Sequence, residues 1–311
     1  MEQQCRVAEV SRAGFYRYLQ QTTPEQADLL LRARLQELAV AHHRLCGYRL
    51  LTKTLQREGH VVNHKRVLRL MREDNLLSLR RKKHVFTTDS GHTLPIYPNL
   101  ARHATLTGLN QLWVADITFI RLHSEFIYLA VILDAYSRRV IGWDLGRTLH
   151  AGLAVRALQM ALRERSWKAE GLIHHSDRGI QYASSEYTDL LEKNEIQISM
   201  SRRGNPYDNA RAERFMRTLK EEEVYGTDYR NLEDARSRIG EFLEQTYNRQ
   251  RLHSALRYLT PEEFEQASIA KESDGADGSG GKPKAGLPPL PQALEIPPGF
   301  PHSRGSATAH Q

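Results

Sequence analysis

The sequence predicts an α/β protein in which strands and helices follow the order βββ-α-β-α-β-α, with a helical region before this unit and a disordered tail after it. Three observations lead to this prediction. Apolar runs of strand length begin at residue 112, amphipathic helical stretches separate the later runs, and glycine and proline accumulate after residue 268. Because consecutive strands are followed by alternating helices and strands, we expect a mixed sheet with helices on its faces.

The composition excludes several classes of protein. With 311 residues, 40% of them hydrophobic, the chain is long enough to bury a substantial core and to hold two domains. No apolar run approaches the roughly 20 residues of a membrane span, and the amino terminus lacks the apolar core of a signal peptide. Two cysteines without a CxxC pair argue against a disulfide framework and a structural zinc site. We therefore expect a cytoplasmic protein.

The predicted helical region, residues 1–95, carries the positive charge of the chain. Residues 1–100 contain 17 Lys and Arg against 9 Asp and Glu, a balance of +8, whereas the whole chain has a net charge of +7. The stretches "YRLLTKTLQREG" and "NHKRVLRLMREDNLL" predict two helices that flank a turn at Gly59, with Asn63 as the N-cap of the second helix. The apolar face of the second helix is expected to contain Val67, Leu70, Met71 and Leu77, and its cations are Lys65, Arg66, Arg69 and Arg72.

This helix-turn-helix-like pattern has two interpretations. The cations favour contacts with DNA phosphates, which the basic stretch "RRKK" at 80–83 would extend. The alternative is a helical hairpin that packs on a neighbouring element. The stretch 86–104, which is rich in turn formers, is expected to link this region to the next unit.

Each element of the second unit, residues 104–266, has its own signal. The stretch "LWVADITFIRL" predicts a first strand, and "EFIYLAVILDAYSRRVIGWDL" predicts two more strands joined by a turn at 135–138. A helix over "GLAVRALQMALRE" precedes a fourth strand at "GLIHHSD", and a short helix capped by Ser184 precedes a fifth strand at "IQISMS". Asp208 or Asn209 is then expected to cap a helix that ends near Glu223.

The final stretch, residues 268–311, has the composition of a disordered tail. It contains seven of the chain's twelve prolines and seven glycines. Its "LPPLP" segment is compatible with a polyproline docking ligand, although a spacer without a partner is the simpler interpretation.

Three carboxylates occupy positions that suggest a metal site. Asp116 interrupts the first apolar strand, where an ionised group is costly unless it is paired or binds a cation. Asp177 follows the fourth strand. Glu213 lies on the polar face of the helix that also carries Arg217 and Lys220. Carboxylates that converge at one sheet edge suit Mg²⁺ or Mn²⁺, and such a site can hold two ions.

Each of these acids also has a simpler interpretation when it is considered alone. Asp116 would form an ion pair, Asp177 would stabilise a turn, and Glu213 would be a surface charge of a helix. Asp134 and Asp144 lie near strand ends too, so that position by itself does not identify a catalytic residue.

The spacing and the surrounding strings resemble a known family. The 35 residues between Asp177 and Glu213, with Lys220 seven residues further on, are similar to the D,D(35)E signature of retroviral-type integrases and related transposases. The strings "LWVADITFI", "LDAYSRRVIGW", "HHSDRGIQY", "SMSRRGNPYDNARAERF" and "YNRQRLHSALRYLTPEEF" resemble the OrfB-type catalytic subunit of IS3-family insertion sequences. The resemblance covers roughly residues 40–266.

The resemblance implies an RNase H-like core and a metal-dependent DNA transposase that cleaves strands and joins 3′-hydroxyl ends to phosphodiesters. By this resemblance Asp116, Asp177 and Glu213 form the catalytic, metal-binding triad for Mg²⁺ or Mn²⁺. Arg178, Arg217 and Lys220 are expected to contact DNA, and His174 and His175 to support the site, one facing the core and the other facing the site.

The same resemblance implies partners and a location. They are double-stranded DNA at the element ends and the target, further copies of the chain, and an upstream-encoded OrfA-type helix-turn-helix and leucine-zipper protein or a fusion with it. A nucleoid-associated location in a bacterium follows from this role. Two rival functions stay open, namely an RNase H-like nuclease that does not join strands and a non-catalytic DNA-binding inhibitor or remnant.

Overall fold

The computed structural model describes residues 26–42, 45–78, 94–123, 125–165, 171–202 and 206–276. The chain divides into two compact units near residue 80. None of the helices in the described ranges is long and apolar enough to cross a membrane. The domain limits given by the sequence, 1–95, 104–266 and 268–311, stay predictions.

The first unit contains three helices in its described part: α1 (Gln26–Ala41), α2 (Tyr48–Arg57) and α3 (His64–Glu73). The turn at Gly59 is confirmed, since its φ of 89° ends the helical path and suits glycine. The predicted N-cap is also confirmed, because the Asn63 side chain accepts a hydrogen bond from the backbone N–H of Arg66 at 2.9 Å. The basic stretch at 80–83 lies outside the described residues.

One predicted core position of this unit is wrong. Leu77 is 43% exposed, and Leu76 is buried instead. The reason is that α3 ends at Glu73 and Asn75 adopts a positive φ of 52°, so the helical periodicity does not extend to residue 77. The remaining predicted residues Val67, Leu70 and Met71 are fully buried against α1 and α2.

The second unit is built on a five-stranded mixed sheet with the order β3-β2-β1-β4-β5. Its strands are β1 (Leu112–Arg121), β2 (Phe126–Asp134), β3 (Val140–Gly146), β4 (Ile173–Ser176) and β5 (Gln197–Met200). Strands β1, β2 and β3 pair antiparallel, whereas β4 pairs parallel with both β1 and β5. This topology confirms the predicted mixed sheet with an initial hairpin.

The helices that accompany the sheet are α4 (Ala151–Glu164), α5 (Ile180–Ala183), α6 (Ser185–Lys193), α7 (Ala210–Glu222), α8 (Leu232–Glu241) and α9 (Pro261–Ala276). A π-helix, Phe242–Gln250, continues α8. Ser184 precedes α6 as predicted, but its hydroxyl donates to the carbonyl of Gln181 and does not accept a backbone N–H of the helix.

Two hydrophobic cores lie on opposite faces of the sheet. Alternate residues of β1 point to opposite sides, so Leu112 and Val114 enter the core that also contains α7, whereas Trp113 and Ala115 enter the core that contains α4 and α6. Helix α4 lies very close to β3, because a Cβ atom at Gly142 would be 2.2 Å from the carbonyl oxygen of Ala157. Glycine is therefore required where this helix crosses the sheet.

Three further details concern the ends of this unit and of β1. The described part of the predicted linker, 94–104, packs on the sheet unit, where Leu94 and Tyr97 contact the core. Phe119, which belongs to the apolar run that predicts β1, is 41% exposed, whereas Ile120, on the opposite face of the same strand, is buried. Residues 268–276, at the start of the predicted tail, belong to α9, and Ser268 is buried; residues 277–311 lie outside the described ranges.

Candidate active site

Asp116 is a nearly buried carboxylate on the central strand. It follows Leu112 and Val114 on the face of β1 that packs against α7, and it is 9% exposed. Its Oδ1 accepts a hydrogen bond from the N–H of Ile117 at 2.9 Å. Burial raises the pKa of Asp116 to about 8, and the nearby charges of Asp177 and Glu213 act in the same direction.

Asp177 lies directly after β4. In the parallel pairing of β1 and β4, Val114 is opposite His175, and continuing this register brings residue 177 beside Asp116. The Oδ1 atom of Asp177 accepts the N–H of Gly179 at 3.0 Å. A Cβ atom at position 179 would lie 3.0 Å from the same oxygen, so glycine leaves room for the carboxylate.

Glu213 reaches the same edge from the first turn of α7. This helix is attached to β1 next to Asp116, because the Asn209 side-chain amide donates to the carbonyl of Ala115 at 2.9 Å. Of the two predicted cap residues, Asn209 directly precedes α7, but its side chain makes no capping hydrogen bond to the helix. Partial burial raises the pKa of Glu213. Ala212, Phe215 and Leu219 form the buried stripe of α7.

The charges of Asp177 and Glu213 act on Asp116, but the three side chains are not arranged as the ligands of one metal ion. Among the described residues, no three His, Cys, Asp or Glu side chains are grouped closely enough to hold a metal ion. The chemistry of these three residues nevertheless fits a hard cation, because all of their ligand atoms are oxygens. In addition, burial and the two other acids oppose the ionisation of Asp116. A divalent ion would offset that cost.

The predicted DNA-contacting cations of this unit have different surroundings. The Nζ atom of Lys220 is 4.9 Å from the centroid of the Phe119 ring, and the charge of Asp116 acts on its pKa, which burial lowers. Arg217 is exposed and lies 3.5 Å from the carboxylate of Glu221. The Arg178 guanidinium donates to the carbonyl of Ser201 at 2.8 Å. The structure therefore places Lys220 beside Asp116.

The two histidines before Asp177 are both buried, which corrects the expectation that one faces the site. His174 hydrogen-bonds to the Tyr187 hydroxyl at 2.8 Å. His175 connects strands β4 and β5, with its two ring nitrogens 2.8 Å from the Ser199 hydroxyl and 3.0 Å from the Ser201 hydroxyl. Burial lowers the pKa to about 3 for His174 and to about 4 for His175, so both are neutral at physiological pH. They stabilise the sheet beneath Asp177.

The remaining acids near strand ends have structural partners. Asp134 accepts backbone hydrogen bonds from Asn110, Tyr136 and Ser137 at 2.7–2.9 Å, which fixes the turn between β2 and β3. Asp144 forms ion pairs with Arg156 and Arg236. These contacts give Asp134 and Asp144 structural roles.

The sequence "YNRQRLHSALRYLTPEEF" has a structural role in the described part of the chain. The Asn248 amide both accepts from the N–H and donates to the carbonyl of Val140, each at 2.9 Å, at the edge of the sheet. Arg251 makes a bidentate ion pair with Glu222 on α7, and Tyr247 packs edge to face on Phe215. The segment holds α7 in place.

The four cations predicted to bind DNA in the first unit fall into two pairs. Arg66 and Arg69 form ion pairs with the buried Asp28 of α1, at 2.7 and 3.2 Å. Lys65 and Arg72 are exposed, and no ion pair involves them within the part of the chain that the structure describes. Their contact with DNA stays a prediction, and Lys65 and Arg72 are the better placed pair.

Models of known families match three parts of this chain. Two models described as an integrase core domain match residues 107–206 and 194–261, and a model described as an HTH-like domain matches residues 25–84. The integrase matches together include Asp116, Asp177 and Glu213.

Curated relatives extend over most of the chain. A 31 kDa protein of insertion element IS600 from Shigella sonnei is 39% identical over 266 residues, covering 84% of this chain and 97% of that protein. The transposase InsF of insertion sequence IS3fB from Escherichia coli K12 is 36% identical over 274 residues, covering 86% of this chain and 94% of that protein.

Similar solved structures are more distant. A simian T-cell lymphotropic virus intasome chain is 18% identical with a TM-score of 0.43, covering 80% of this chain and 75% of that chain. The HTLV-2 integrase catalytic core in complex with magnesium is 18% identical with a TM-score of 0.40, covering 51% of this chain and 97% of that chain. Because both TM-scores are below 0.5, the family assignment depends on the sequence relatives.

Proposed function

Since the chain belongs to the IS3 family of insertion-sequence transposases and contains an integrase core, we propose that it cleaves DNA strands and joins their 3′-hydroxyl ends to phosphodiesters through Asp116, Asp177 and Glu213. The observation that supports this proposal most directly is the mutual electrostatic effect of these acids. Burial and the charges of Asp177 and Glu213 all oppose ionisation of Asp116, which is the situation that a bound cation reverses.

We infer that the three carboxylates would hold Mg²⁺ or Mn²⁺, in a pair of sites. When bound, two such ions would activate the attacking oxygen and stabilise the leaving oxygen of a phosphodiester. No nucleophilic side chain is required, because water or a DNA 3′-hydroxyl attacks the phosphorus.

The other residues of the site have positioning and electrostatic roles in this proposal. The Gly179 N–H orients the Asp177 carboxylate, and the Asn209 amide holds the start of α7, and with it Glu213, against β1. Lys220 is the cation beside Asp116 and would neutralise a phosphate of the DNA strand. Lys65 and Arg72 of α3 would add phosphate contacts from the HTH-like unit.

The partners follow from the same proposal. Joining an element end to a target requires double-stranded DNA at two places, and we propose that the chain acts as a homo-oligomer together with an upstream-encoded helix-turn-helix and leucine-zipper protein, or as a fusion with it. The proposed location is the bacterial nucleoid.

The test uses the full chain, with and without this partner, on labelled DNA that carries the element ends in Mg²⁺ or Mn²⁺. We expect joined strands with the wild type and none with Glu213→Gln. The matched control is Glu221→Gln, which removes a carboxylate from the same helix but outside the triad. Hydrolysis without joining would favour a nuclease, and no metal-dependent product even with the partner would favour an inhibitor or remnant.

A further inference from the structure

A cavity opens beside Asp177 at the end of the β1–β2 hairpin. Its volume is about 490 Å³, within the range of about 300–1,000 Å³ that small-ligand pockets occupy. Most of its wall is apolar or aromatic, and its lining includes Ile117, Phe119, Phe126, Leu149, Asp177 and Tyr182. The pocket therefore combines one residue of the proposed triad with a largely apolar interior.

The cavity and Asp116 lie on opposite faces of β1, near the edge of that strand. Strand alternation places Ile117 and Phe119 on the face opposite to Asp116, and the antiparallel pairing adds Tyr128 and Phe126 to that same face. Strand β4 ends at Ser176, so β1 has no neighbour on that side beyond this point. A DNA strand at the carboxylates would therefore pass directly over the mouth of the cavity.

Two exposed phenylalanines form the outer wall. Phe119 is 41% and Phe126 is 49% exposed, and their rings meet edge to face with centroids 5.8 Å apart. A cation lies on each ring, since Lys220 Nζ is 4.9 Å from the Phe119 centroid and Arg121 Cζ is 5.7 Å from the Phe126 centroid. Exposed aromatic rings flanked by cations are the surface that single-stranded nucleic acids use, with bases on the rings and phosphates on the cations.

We propose that this cavity receives one unpaired base of the DNA strand at the active site, stacked on the Phe119 ring with its edge against Phe126, while Lys220 and Arg121 contact the adjoining phosphates. This inference depends on the proposed function, because it places DNA at Asp177. It adds that the DNA at this point is locally unpaired. A paired base cannot enter, since its faces are covered by its neighbours in the stack.

The charge distribution favours a nucleotide over an apolar peptide segment. An apolar peptide would contact only the phenylalanines, whereas a nucleotide carries its phosphate beside its base and would contact the rings and the cations Lys220 and Arg121 together. The base would also remain next to Asp177, within one nucleotide of the reacting phosphodiester.

The experiment compares DNA affinity for two duplexes that carry the element end. One is fully paired, and the other has a single mismatch next to the scissile phosphate. Affinities of the full chain are measured by fluorescence anisotropy in Ca²⁺, and 2-aminopurine at the mismatched position reports on stacking. Wild type should bind the mismatched duplex about tenfold more tightly, with quenched 2-aminopurine fluorescence, because stacking on an aromatic side chain is worth about that factor.

Variants of Phe119 separate stacking from general hydrophobic contact. Phe119→Trp should keep the preference for the mismatch, whereas Phe119→Leu and Phe119→Ala should lose it and keep the affinity for the paired duplex within about twofold. The control Ile269→Ala removes an apolar side chain of α9 that is 50% exposed and lies outside the cavity, and it should behave as wild type.

The two proposals can fail separately. Equal affinity of the wild type for both duplexes, or an unchanged mismatch preference in Phe119→Ala, would overturn the base pocket even if strand joining is observed. Conversely, a preference that requires Phe119, in a protein that never joins strands, would leave the pocket intact and refute the transposase activity. Melting temperatures of the variants show whether they are folded.

Discussion

The substitution Asp116→Asn should make the metal-free protein more stable while removing its catalytic activity. Asparagine has nearly the same shape, and its side-chain oxygen can still accept the N–H of Ile117. The substitution removes the ionisable carboxyl group. Ionisation of this group is opposed by burial and by the charges of Asp177 and Glu213. The carboxylate therefore lowers the free energy of unfolding when no cation is present.

The magnitude follows from the shift in pKa. In the unfolded chain Asp116 loses its proton near pH 3.8, and in the folded protein it does so near pH 8. Because the folded state retains the proton more tightly, unfolding releases a proton between these values, and the free energy of unfolding falls as the pH rises through this window. At 1.36 kcal/mol per pH unit, the loss is roughly 3 kcal/mol at pH 6 and roughly 5 kcal/mol at pH 8.

The assay is urea denaturation of the wild type and Asp116→Asn in EDTA at pH 6 and pH 8. The variant should be the more stable protein at both values, and its advantage should grow with pH. Added Mg²⁺ should then stabilise the wild type far more than the variant, because only the wild type retains the complete carboxylate set. A variant that is equal to or less stable than the wild type at pH 8 without metal would refute this electrostatic reasoning.

Three further predictions concern other parts of the molecule. Gly142→Ala should lower the free energy of unfolding by roughly 1–3 kcal/mol or more, measured by urea denaturation, since the new Cβ would overlap α4; a neutral result would show that the helix can move away. Glu265→Ala should cost about 3–5 kcal/mol by the same measurement, because it leaves the buried Arg165 guanidinium without its carboxylate, and a loss under about 1 kcal/mol would contradict this. The double variant Lys65→Ala, Arg72→Ala should reduce the slope of log affinity for DNA against log salt by roughly 2 with an unchanged melting temperature, and an unchanged slope would mean that neither contacts phosphate.

The elements of the fold could be predicted because their signals are local. Each strand of the sheet is an apolar run, and the turn at Gly59 and the cap at Asn63 depend on residues within a few positions. The ends of elements were less accurate. Helix α3 ends before Asn75, which has a positive φ, and α9 continues past residue 268. Composition does not report the backbone conformation and the packing that cause these two differences.

The candidate site could be predicted only in part. The three acids were identified from spacing and resemblance, and the register of β1 and β4 explains why Asp116 and Asp177 are near each other. The amide contact of Asn209 with Ala115 joins residues that are far apart in sequence, as do the ion pairs of Arg66 and Arg69 with Asp28. Such long-range partners have no signature in a single sequence, and neither has the exposure of Phe119.

The amide of Asn248 has a consequence for how copies of this protein can associate. It occupies both backbone hydrogen-bonding groups of Val140 on β3, which is an outer strand of the sheet. A strand from another molecule that approached this position would find its hydrogen-bonding partners already taken. One side chain thus protects the sheet from edge-to-edge growth at this position of β3.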